Sequence, residues 1–78
     1  MDKKVYKEWL KINVEIHNKL EKLKELDEEK KWLIKEVEIK GFNEELKDKM
    51  NESVKKYNSL LEEIKALNLK AQELNNQL

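Results

Sequence analysis

Lys40-Gly41-Phe42-Asn43-Glu44-Glu45 is the stretch on which the fold of this chain turns. It holds the only glycine among 78 residues, and there is no proline, so nearly all the backbone punctuation is gathered here. Glycine accepts the left-handed conformation that closes a helix at C′, which other residues resist. Asn43 offers a side-chain oxygen to the free N–H groups of a helix that begins after it. Glu44 and Glu45 then fall in the first turn, where the helix dipole favours acids. The stretch predicts a helix over about 3–40, a turn over 41–43 and a second helix over about 44–76.

On both sides of the turn the apolar residues repeat in heptads. With Met50 at position a, the second helix places Met50, Tyr57, Ile64, Ala71 and Leu78 at a, and Leu46, Ser53, Leu60, Leu67 and Leu74 at d. Ser53 alone breaks this coiled-coil seam. The first helix fits the same frame, with Trp9, Ile16, Leu23, Lys30 and Val37 at a and Val5, Ile12, Lys19, Leu26 and Leu33 at d. Lys19 and Lys30 interrupt it, and the expectation is that each snorkels its ammonium outward and helps to specify register.

Folding the chain back at Gly41 brings every a residue opposite a d residue. The layers run from Val37 with Leu46 beside the turn, through Lys30 with Ser53 and Lys19 with Ile64, to Trp9 with Leu74 and Val5 with Leu78. The g positions then meet as Glu36 with Lys49, Glu29 with Lys56, Lys22 with Glu63 and Glu15 with Lys70, and ion pairs between the helices are expected there. At roughly 0–1 kcal/mol each, such pairs set register more than stability. The fold class expected is all-α: an antiparallel, coiled-coil-like two-helix hairpin, with residues 1–78 as one domain. A dimer of two continuous helices would make the same pairs between chains; the Gly41/Asn43 stop-and-start signal favours the turn.

The seam leaves a second set of apolar residues uncovered. Tyr6, Leu20, Ile34, Val54 and Leu61 all occupy e positions, with Leu10 beside them at b, and Asn13, Asp27, Asn68 and Asn75 lie between them. One flank is therefore ionic and the other an apolar strip, which predicts another layer on that side. That layer is a second copy, giving a homodimeric four-helix bundle, or an amphipathic helix of another protein laid into the groove. Trp32 and Ile39 at c, with Phe42 in the turn, form a further patch at the hairpin tip, and exposed aromatics of this kind anchor interfaces.

Composition excludes more than it assigns. Seventeen lysines, with no arginine, balance 17 acidic residues, and 44% charged is far above the roughly 25% of an average globular chain. The longest apolar run, Trp32-Leu33-Ile34, is far too short to span a membrane, no signal-peptide core follows Met1, and a cytoplasmic location is expected. There is no cysteine, His17 is the single histidine, and Val14 stands where a Glu-x-x-His di-iron motif needs its glutamate. Ser53 and Ser59 have no histidine neighbour, and no glycine-rich phosphate loop exists. No catalytic site, cofactor or metal is expected. A small dimeric nucleic-acid-binding regulator of Rop-like architecture is an alternative, resting on Lys3, Lys4, Lys7 and Lys11; zero net charge and the absence of arginine speak against it.

The run from Leu20 through Glu25-Leu26-Asp27 to Lys31-Trp32-Leu33-Ile34-Lys35-Glu36-Val37, followed by a short turn and a second amphipathic helix, resembles the hairpin core of flagellar export chaperones of the FliT and FlgN type. That resemblance implies a cytosolic helical protein that holds a helix of an export substrate and keeps it from assembling early. It covers about two thirds of the chain and lacks the additional helices of those families. The expected function is a non-enzymatic interaction module, an adaptor, chaperone or inhibitor, that binds an amphipathic helix of a partner, self-associates, or does both. A phage or plasmid inhibitor docking on a host protein shares the same physics.

Overall fold

In the computed structural model, which describes residues 2–78, the chain reverses once between α1 (Lys3–Lys40) and α2 (Glu44–Gln77), and no strand occurs among the described residues. Asp2 caps α1, its Oδ1 accepting from the Lys4 N–H at 2.9 Å. At the other end the Gly41 N–H donates to the Val37 carbonyl at 2.8 Å. Gly41 has the positive φ that was expected, 80°, but its ψ of 169° lies outside the left-handed helical basin. That region is essentially open to glycine alone. The chain thus leaves α1 extended and meets Asn43, itself extended at φ −136° and ψ 169°, so three residues suffice to reverse it. Asn43 Oδ1 then accepts from the Leu46 N–H at 2.8 Å, starting α2 where the sequence signal placed it.

The core is the seam. Ile12, Leu33, Leu46, Ser53, Ile64 and Leu74 are buried, and all six are a or d residues. Every other seam residue is half-buried except Lys30 and Leu78, which are exposed. Outside the seam only Glu36 and Leu61 are half-buried among the described residues, and the rest are exposed. Cross-helix neighbours lie within a turn of the predicted layers: Lys30 lines one cleft with Ser53, and Trp9 lines another with Ala71.

Pairing of charges departs from the sequence expectation. None of the g-to-g ion pairs forms; instead Glu36 bonds Lys40 at 2.9 Å, Glu45 meets Lys49 at 3.4 Å and Glu52 meets Lys56 at 3.6 Å, each along its own helix. A carboxylate four residues before a lysine reaches it locally, without spanning the inter-helix groove. Glu63 turns to Lys19 in the seam, at 2.9 Å, and not to Lys22.

Two helices side by side give each seam residue neighbours on one face only. Thirty-eight helical residues at about 1.5 Å each account for the long axis, and the molecule measures 58 × 15 × 13 Å. Its accessible surface is 6397 Å², against about 5,000 Å² for a compact folded monomer of this mass. No described helix is long and apolar enough to cross a membrane.

Candidate interaction surface

The e flank runs along both helices on one side of the seam. Tyr6, Leu10, Leu20, Ile34 and Val54 are exposed and Leu61 is half-buried. From Tyr6 to Ile34 the strip extends about 42 Å by helical rise. At its far end Tyr6 stacks on Trp9, ring centroids 6.1 Å apart and planes 22° from parallel, one helical turn apart. Ala71 is small, so Trp9 leaves beside it a cleft of about 370 Å³ lined also by Asn68, Gln72 and Asn75. Asn13 does not reach across, because its Nδ2 donates to the Trp9 carbonyl at 2.7 Å.

Nearer the turn the flank opens into a second cleft, about 240 Å³, lined by Asp27, Lys30, Ser53, Val54, Tyr57 and Asn58. The polar layer creates it. Ser53 is too short to fill its place in the seam, and Lys30, which could have covered it, is exposed. Lys19 behaves differently, since its ammonium is held by Glu63 while its side chain stays 28% exposed.

The tip patch is separate. Trp32, Ile39 and Phe42 are 54%, 79% and 66% exposed. On a helix, c positions adjoin g and not e, so Trp32 and Ile39 face the charged flank and are not continuous with the apolar strip. Nearby, the Glu36 carboxylate accepts a hydrogen bond from Lys40 and attracts its charge, which holds the Lys40 ammonium above the usual lysine value.

One feature of the charged flank was not visible in the heptad. Because Lys56 turns to Glu52 and Glu63 to Lys19, neither closes on Glu29 or Lys22, and a groove of about 510 Å³ stays open between Lys22, Glu25 and Glu29 on α1 and Lys55, Lys56 and Glu63 on α2, with Leu26 and Leu60 at its base. The small Ser59 at c, also in its lining, was the available signal. Elsewhere His17 Nε2 lies 4.0 Å from Glu21, both side chains exposed, and no three His, Cys, Asp or Glu side chains converge among the described residues. A comparison with protein families, with curated proteins and with solved structures finds no match to this chain.

Proposed function

We propose that this chain is a non-enzymatic interaction module whose e flank, Tyr6, Leu10, Leu20, Ile34, Val54 and Leu61, is covered in its working state by one or two amphipathic helices. These come from a partner protein or from a second copy completing a four-helix bundle. The observation that carries the reading is the combination of an exposed apolar strip on one flank with an accessible surface well above that of a compact monomer. The excess is of the order that one side of a standard interface buries, roughly 800 Å². The resemblance of the Leu20–Val37 region to flagellar export chaperones points to the same use, masking or scaffolding of a partner's helix.

Solution mass by light scattering over a dilution series, with circular dichroism on the same samples, tests this. A helical dimer that persists on dilution assigns the strip to self-association and directs the search for partners to the Trp32/Ile39/Phe42 tip. A helical monomer, or a dimer that dissociates on dilution, leaves the strip available to a partner. A helical monomer that binds no amphipathic helix overturns the reading.

A second reading rests on Lys3, Lys4, Lys7 and Lys11, all exposed and all outside any ion pair among the described residues. If that end binds nucleic acid, binding falls steeply with salt and is lost when these lysines are neutralised.

A further inference from the structure

The apolar strip is close to self-complementary when reversed end for end. Along α1 its e row reads Tyr6, Asn13, Leu20, Asp27, Ile34, so apolar and polar residues alternate symmetrically about Leu20. By the register of the seam Leu20 stands opposite Leu61, and each lies within two residues of the middle of its helix, α1 (Lys3–Lys40) or α2 (Glu44–Gln77). A two-fold axis through these leucines, lying in the contact face and perpendicular to the long axis, lays a second copy over the strip along the full 58 Å of the molecule. Each helix then runs antiparallel over its own copy. On α1, Tyr6 comes over Ile34, Leu20 over Leu20, and Asn13 over Asp27, whose carboxylate can accept the amide hydrogen that Asn13 does not give to the Trp9 carbonyl. On α2, Leu61 meets Leu61 and Lys47 comes over Asn75; Val54 over Asn68 is the one apolar residue of the e rows set on a polar one.

The charged residues bordering the strip at b fit the same axis. Lys3 comes over Glu38, Lys24 over His17, Lys31 over Leu10 and Lys65 over Asn58, while Glu44 passes Leu78, so no like-charged side chains meet at pH 7. The other two-fold, along the long axis, sets α1 over α2 of the copy with the layers unshifted. It puts Ile34 on Lys47, Val54 on Asp27 and Glu38 on Glu44. Like charges across an interface cost affinity and reject an arrangement, while opposite ones favour it. We infer that the occupant of the strip is a second copy of this chain, laid antiparallel about Leu20 and Leu61 into a four-helix bundle, with Lys3 on Glu38 and Asn13 on Asp27 at symmetric positions. This rests on the interaction-module reading and names its partner.

The chain has no cysteine, so single-cysteine variants of the full chain report which residues meet. N13C, D27C and N68C are refolded as mixed pairs, treated with a short bismaleimide and resolved by mass spectrometry, with helicity checked by circular dichroism. N13C should link to D27C, and neither to itself nor to N68C. Light scattering should find a dimer that L61D splits. E38K should weaken that dimer about fivefold at low salt, since two symmetric contacts are lost, and K3E/E38K should restore it. A dimer in which N13C links to N68C and not to D27C, or whose strength E38K leaves unchanged, overturns the antiparallel pairing and leaves the covered strip intact. A monomer that binds a leucine-faced amphipathic peptide overturns the second copy as occupant and leaves the helix-holding reading intact. A monomer that binds no such peptide, or a dimer that L61D does not split, overturns this inference and the proposed function together.

Discussion

Lys19 Nζ lies 2.9 Å from Glu63 Oε2, and among the described residues this is the ion pair that joins the two helices. Lys19 occupies a seam position opposite Ile64, which is buried, yet its ammonium emerges at the g edge of α2. The side chain lays its methylenes along the seam and keeps its charge at the surface. With Glu63 half exposed, the pair is worth only about 0–1 kcal/mol.

Lys19→Leu should therefore stabilise the hairpin. Burying much of a leucine beside Ile64 is worth about 1–2 kcal/mol and outweighs loss of the pair. The expected gain of about 1 kcal/mol corresponds to a rise in Tm of roughly 4–8 °C for a chain of this size, read by thermal circular dichroism. A lower Tm would mean that the pair contributes more than its exposure allows.

Gly41→Ala should destabilise by about 1–3 kcal/mol in urea, the range for a residue forced into such a conformation. A Cβ at Gly41 would meet nothing within 4 Å, so the penalty comes from φ 80° alone and not from a clash. D-alanine, placed by chemical synthesis, favours positive φ and should restore the stability. Should L-alanine instead raise stability while the solution mass doubles, two continuous helices pairing between chains become the better description.

Lys40 offers a pH-dependent signature. Its folded pKa is raised above 10.5 by the hydrogen bond from its ammonium to Glu36 and by that residue's charge. The pair's contribution is accordingly complete below 10.5 and fades as pH climbs through the folded value. Glu36→Gln should return Lys40 to ordinary lysine behaviour, observable as a lower midpoint in an NMR titration of its Cε protons.

Leu61→Asp tests the strip without touching the seam. Leu61 is the most shielded of the six strip residues and sits opposite Leu20, so a carboxylate there faces any helix that covers the flank. The variant should keep its helicity and lose association, whether with a peptide or with a second copy, by tenfold or more. Unchanged association in equilibrium sedimentation and peptide titration would remove the e flank from consideration and leave the tip and the charged groove.

The sequence by itself determined the hairpin: two helices, the reversal at Gly41 and the residues that meet in the seam. These depend on signals that act locally or repeat along the chain. Asn43 caps α2 by a bond three residues long, and the heptad places Ile12, Leu33, Leu46, Ile64 and Leu74 inward wherever the helices touch. The exposed strip followed by subtraction. Tertiary structure alone decided what fills the space beside the seam: that Glu36 turns to Lys40 and Glu63 to Lys19, and that clefts stay open beside Ser53 and over Leu26 and Leu60. Alternative partners for a surface charge differ by less than about 1 kcal/mol, so the choice among them follows the actual separation of the two helices. Helix period and capping are set by the backbone, which is why they are legible before the chain is folded; charge pairing is set by distances that exist only afterwards.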